Sequence, residues 1–141
     1  MTYDILSTLC GKQIFASSPI ILQGFSSGHN AGMTGTLLQV SQVYNICDGQ
    51  VVSVSRDYDG FYVITVQCTP DKWIRYCKLD AIAVGVNQKI GAGALIGHAH
   101  HNELRFEYCN LLKSEHQVRL ADLTIYKHDP IGILLGIEKL K

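Results

Sequence analysis

The sequence predicts a mainly β, antiparallel domain that closes with one short C-terminal helix, and three observations carry that expectation. Along the middle of the chain, apolar residues alternate with polar ones instead of recurring every three or four positions. Turn-forming residues separate these runs. Residues that start a helix come together only near the C-terminus.

A hairpin is the first element. Val51 and Val54 stand among Gln50, Ser53 and Ser55, and Phe61 to Gln67 alternates large apolar residues with Tyr62, Thr65 and Gln67. Between the two runs, Asp59-Gly60 supplies the turn that antiparallel strands need. Further strands are expected at Trp73 to Leu79 and Glu103 to Cys109, with shorter ones near Lys12 to Phe15, Gln39 to Val43 and Leu95 to His98. The helix is expected after Asp129, whose side chain can accept from free N–H groups of a first turn. Pro130 suits the first helical position, and Gly136 suits the close. Gly132 inside the segment weakens it.

Composition limits what any motif can mean. At 141 residues, 47% of them hydrophobic, the chain suffices for a single domain, residues 1–141, with one core. Twelve basic residues balance twelve acidic ones, so no long-range field draws the protein to nucleic acid or anionic lipid. Neither is an expected partner, and recognition falls to shape and local contacts. Thr2, Tyr3 and Asp4 are not the start of an export signal, and no apolar run has the roughly 18 residues of a membrane span. Cys10, Cys47, Cys68, Cys77 and Cys109 form no C-x-x-C pair, and free thiols in a reducing compartment are the simplest expectation.

Asp48 to Val51, Tyr76 to Leu79, Ile82 to Gly97 and Glu103 to Glu107 are the main segments by which the chain, from residue 22 to about 135, resembles the lysostaphin-like zinc endopeptidases of the M23 family. Asp48, Gly49, Gln50, Val51 resembles the family's "DG-x-V" strand, and Tyr76, Cys77, Lys78, Leu79 its "Y-x-H-L". The run from Ile82 to Gly97 follows "V-x-x-G-x-x-V-x-x-G-x-x-I-G", with Asn87 where glycine is usual. Glu103 to Glu107 resembles "H-L-H-F-E". Gln23, Gly24, Phe25 and Asn30 to Thr34 resemble "G-F" and "H-x-G-x-D", and His128 to Ile131 resembles the closing "D-P" segment. Gly91, Gly93 and Gly97 are expected where the sheet turns sharply.

The resemblance implies a barrel-sandwich-like peptidase fold and a place for zinc. The family's metal ligands and catalytic imidazoles would fall at Asn30, Thr34, Lys78, Glu103 and Arg105, none of which keeps the family residue. A catalytic zinc needs about three lone-pair donors and an open position, and Arg105 and Lys78 bring cations instead. No catalytic residue and no cofactor are therefore expected. Lys78, Glu103 and Arg105 should converge on one another where the metal would sit.

Alternatives stand beside this reading. His29, His98, His100 and His101 could form a shifted zinc site with Glu103 or Asp48, although in a strand His98 and His100 would face one way and His101 the other. Trp73, Tyr76, Phe61 and Tyr62 could line a groove but more simply fill a core. Asp57 and Asp59 are best explained as turn residues, and Glu103 and Glu107 share a strand face. The glycine-spaced run also occurs in lipoyl and biotinyl carriers, but neither Lys72 nor Lys89 stands beside methionine.

Without its chemistry, the implied fold suggests a structural part of a bacteriophage tail or baseplate. The expected partners are other virion proteins and further copies of the chain, with assembly in the host cytoplasm and a residual contact with cell-wall peptide. A zinc-dependent peptidoglycan endopeptidase with relocated ligands, or a bacterial regulator of wall hydrolases, are the other readings.

Overall fold

The computed structural model describes residues 21–23, 25, 36–134 and 140. The described residues form β1 (Ile21–Gln23), β2 (Thr36–Gln39), β3 (Gln42–Tyr44), β4 (Gly49–Arg56), β5 (Tyr62–Thr69), β6 (Lys72–Ile82), β7 (Lys89–Ile90), β8 (Leu95–Ala99), β9 (Glu103–Asn110), β10 (Gln117–Leu120), β11 (Leu123–His128) and the helix α1 (Ile131–Leu134). The strand expected at Lys12 to Phe15 and the helix-closing Gly136 lie outside them.

The main sheet runs β1-β2-β9-β6-β5-β4-β7. Every pairing is antiparallel. The β4–β5 hairpin forms where alternation and Asp59-Gly60 place it, with Gly60 at φ 87°. Asp57 fixes the turn, its Oδ1 accepting from the N–H groups of Asp59 and Phe61 at 3.0 and 3.1 Å.

β6 is longer than expected because it serves two partners. Lys72 to Cys77 pairs with β9, and Leu79 to Ile82 pairs with β8, which in turn carries β3. The strand expected over Gln39 to Val43 is broken for a related reason. β2 lies on β9, β3 lies on β8, and at the crossing the Val40 N–H donates to Asn102 O while Ser41 O accepts from Ala99 N–H. The β10–β11 hairpin was not expected. Its two-residue turn, Ala121-Asp122, puts alanine at φ 53° without the Asn-Gly or Asp-Gly signal that marks such turns.

Two glycine-run expectations resolve differently. Gly93 does turn at φ 93°, and Asn87 takes φ 71°, a region that asparagine tolerates better than most residues. Gly97, however, lies inside β8 rather than at a turn. A Cβ there would collide with the carbonyl oxygen of Ala81, so close strand approach is what requires glycine.

The main core is packed on one face of the sheet by Leu38, Val43, Ile64, Ile74, Tyr76, Ile96, Leu104 and Phe106, all fully enclosed. Tyr76 is a core residue with a polar tip: its hydroxyl donates to Asn45 Oδ1 and accepts from the Ile46 N–H, both at 3.0 Å. Trp73, Cys109 and Ile125 form a second cluster with Val52, Val118 and Leu120 beneath the β10–β11 hairpin. α1 starts as expected, with the Ile131 N–H donating to Asp129 Oδ1 at 3.0 Å. No described helix is long and apolar enough to cross a membrane.

The cysteine expectation needs correcting. Cys47 and Cys68 are joined in a disulfide, while Cys77 and Cys109 are buried free thiols. Cys10 lies outside the described residues.

Candidate functional site

Strand alternation builds a charged patch on the face opposite the main core. Leu104, Phe106 and Tyr108 of β9 point into that core, so Glu103, Arg105 and Glu107 share the other side. β6 lies beside them in a register that sets Arg75 opposite Glu107 and Cys77 opposite Arg105.

Lys78 reaches the same face through a bulge. Tyr62 pairs with Leu79 and Ile64 with Tyr76, so Cys77 and Lys78 together oppose the single residue Val63. Lys78 absorbs the extra residue at φ 69°. Its Nζ then lies 2.7 Å from Glu103 Oε1. The hydrogen bond and the charge of Lys78 hold the Glu103 carboxyl below its ordinary pKa.

The centre of the patch is Glu107, only 2% exposed. Arg75 Nη1 donates to its Oε1, Lys127 Nζ from β11 lies 3.1 Å from Oε2, and Arg105 Nε lies 3.7 Å from Oε2. Arg105 also faces the β4–β5 turn, with Nη2 3.5 Å from Asp57 Oδ2. Asp57 therefore shapes a turn with one oxygen and meets a buried cation with the other. Beneath this network burial, reinforced by the Glu107 charge, pushes the Cys77 thiol up to about 12 and raises that of Cys109 as well. Both sulfurs stay protonated and unreactive near neutral pH.

Lys78 and Glu103 thus meet as expected, but Arg105 does not join them. It turns along the strand to Glu107 and Asp57. Asn30 and Thr34 lie outside the described residues, as does His29. Arg75, Lys127 and the central role of Glu107 were missed. The one signal for them was the i, i+2, i+4 spacing of charges in Glu103, Arg105 and Glu107, which puts three ionised groups on one strand face.

The histidine cluster is arranged differently from the expectation. His98 Nδ1 and His100 Nδ1 approach Asp80 at 3.3 and 3.6 Å. His101 does not point away from them as it would in a strand. Residues 100–102 form a 3-10 turn with His101 at φ 53°, which stacks its ring on His100 at 3.8 Å. His100 in turn lies 4.2 Å from the Phe61 ring. Asp48, offered as a partner for these histidines, instead accepts from the Ala92 N–H at 3.0 Å.

The donor chemistry of the charged patch does not fit a zinc ion. Lys78 and Arg105 carry no lone pair to give, and Glu103, Glu107 and Asp57 already face cations. Among the described residues no group of three or more His, Cys, Asp or Glu is placed to hold a metal. Farther along, a cleft of about 410 Å³ lies between Ser53, Gln67 and Trp73 of the sheet and Arg119 and Asp122 of the β10–β11 hairpin.

No protein-family model matches the chain, and no curated protein matches it by sequence. Its fold is nevertheless similar to several solved structures. The antimicrobial peptidase lysostaphin from Staphylococcus simulans superposes with a TM-score of 0.65 at 16% identity, over 84% of this chain and 50% of that one. A zinc containing peptidase from Vibrio cholerae gives a TM-score of 0.53 at 24% identity, over 63% of this chain and 32% of that one. The catalytic domain of a prophage-encoded M23 protein from Enterococcus faecalis gives a TM-score of 0.54 at 14% identity, over 67% and 82%. The chain spans about half the length of two lysostaphin structures it matches, and 89% of a structure of the lysostaphin catalytic domain. With a curled antiparallel sheet and, among the described residues, one short α-helix, the chain has the fold of the lysostaphin-like M23 peptidase domains.

Proposed function

We propose that the chain is a catalytically inactive M23-like domain serving as a structural or assembly part of a bacteriophage tail or baseplate. Its partners would be other virion proteins. One observation carries the loss of catalysis: the strand positions that the resemblance assigns to imidazoles around zinc hold a Lys78–Glu103 ion pair and an Arg105 guanidinium facing Asp57 and Glu107. A dication placed among such groups would be repelled by two fixed cations and would have to strip carboxylates from their partners. The virion setting rests on analogy, supported by the occurrence of the fold in a prophage-encoded M23 protein.

Metal analysis and a wall-digestion assay test the first half. Purified protein is expected to hold less than about 0.1 zinc per chain, far below the full occupancy of a working catalytic site, and to leave peptidoglycan intact. Stoichiometric zinc with activity that a chelator abolishes would overturn it. The combined change Asn30→His, Thr34→Asp and Arg105→His is expected to create measurable zinc binding if the positional assignment is right. Mass spectrometry of gradient-purified phage particles tests the second half. The chain is expected in the particles at a fixed ratio to tail proteins, and recovery only with bacterial wall hydrolases would point to the regulator reading.

A further inference from the structure

The Cys47–Cys68 disulfide lies away from the charged patch and closes the open end of the β4–β5 hairpin, with its Cα atoms 6.0 Å apart. On its outer side β4 meets β7 through Gly49 and Gln50, and Val51 exchanges backbone hydrogen bonds with Asn87 and Gln88; among the described residues no strand pairs with Ser53 to Arg56 on that side. Cys47 itself is enclosed, but Cys68 is partly open to solvent. Cys68 lines a surface depression of about 490 Å³ together with Asp48, Gln50, Thr69, Pro70 and Lys89. That depression gives a small thiol room to approach, and the Lys89 ammonium on its wall favours a thiolate there. The buried, protonated Cys77 and Cys109 are poor competitors for exchange.

We propose that Cys47 and Cys68 form a redox-dependent fastener for the β4 edge of the sheet, open in a reducing milieu and closed once the protein reaches an oxidising one. Closure proceeds by exchange with a low-molecular-weight disulfide such as oxidised glutathione. The Cys68 thiolate attacks one of its sulfurs and expels one glutathione thiolate. The Cys47 thiolate then attacks the Cys68 sulfur of the mixed disulfide and expels the second. Two protein thiols thus lose two electrons and two protons, and one small disulfide becomes two thiols. This inference does not depend on the proposed function, because an M23-like enzyme and an inactive virion part would carry the fastener equally.

Alkylation, peptide mapping and hydrogen exchange test it on the full-length protein. After oxidation with oxidised glutathione, the denatured chain is expected to show three alkylatable thiols, the five cysteines less the bonded pair, and a linked peptide containing Cys47 and Cys68. On reduction, amides of residues 49–56 are expected to open on the order of a hundredfold more often, as loop-closure entropy suggests for a crosslink of this span. Amides at the centre of β6 and β9 should change far less. The double variant Cys47→Ser with Cys68→Ser should match the reduced protein and ignore reductant, and Lys89→Gln should slow exchange with glutathione several-fold. Should that double variant fail to fold, the reductant titration of the unaltered protein decides alone. Pairing through any other cysteine, equal β4 exchange in both redox states, or a double variant that still responds to reductant would overturn the proposal.

Discussion

Replacing Glu107 by Gln keeps the volume of the side chain and removes only its charge. Arg75, Lys127 and Arg105 would then lose the carboxylate they share, Arg105 keeping Asp57, on side chains that are 16%, 10% and 9% exposed. Removing one member of a buried ion network leaves uncompensated charge, a loss of about 3 to 5 kcal/mol. For a chain of this size that corresponds to a fall in Tm of roughly 10 °C, at about 2 to 4 °C per kcal/mol. Urea unfolding monitored by Trp73 fluorescence, with calorimetry alongside, measures both quantities. Added salt should restore little, because the groups are shielded from bulk ions. The exposed Lys113→Ala serves as the reference and should change stability by no more than about 0.5 kcal/mol. Arg105→Ala should fall between the two. If Glu107→Gln costs less than about 1 kcal/mol, on a scale where breaking a buried pair costs several, the network contributes little and the reasoning fails.

Gly97→Ala should destabilise by about 2 kcal/mol or more through overpacking, since its Cβ meets the Ala81 backbone, whereas Gly85→Ala, with open space around it, should be near neutral; parallel denaturation curves decide. Alkaline pH should weaken the fold. The Cys77 thiol ionises near 9.0 when unfolded but at about 12 when folded, so its contribution is complete below pH 9 and is lost as pH rises toward 12. Cys77→Ala should flatten that part of the stability profile, and an unchanged slope would count against it. At the acid end the sign reverses. The Glu103 pKa is depressed by Lys78, so their pairing contributes above the ordinary carboxylate range and fades as pH falls through it, which Lys78→Met should abolish in an acid titration.

Where local chemistry decides the structure, the sequence was readable. Asp59-Gly60 and the alternation around it specify the β4–β5 hairpin, and Asp129-Pro130 starts α1. What escaped depends on tertiary approach. Ala121 occupies a turn conformation that no residue preference marks, because packing of Leu120 and Ile125 against Trp73 holds the hairpin in place. Gly97 looked like a turn glycine because the need for space beside Ala81 is visible only once β6 and β8 are paired. The Cys47–Cys68 bond joins residues separated by 21 positions, a pairing that five unpatterned cysteines do not specify. In the charged patch, Glu103, Arg105 and Lys78 were identified by resemblance. The preference of Arg105 for Asp57 over Glu103 follows from where the β4–β5 turn curls, which spacing does not encode.

The bulge at Lys78 sets the parity of β6. Before it, odd-numbered residues from Trp73 to Cys77 face the charged side and even-numbered ones face the core; after it, Leu79 faces the core. The extra residue is therefore a half-step that lets one strand match β9 at one end and β8 at the other, each with its own inside and outside. Exchange of the lysine for another side chain disturbs one ion pair. Deletion of the residue would exchange inside for outside along everything that follows in β6, turning Leu79 toward the charges or tearing β8 from its partner. At this point in the fold, the number of residues is a stricter requirement than their kind.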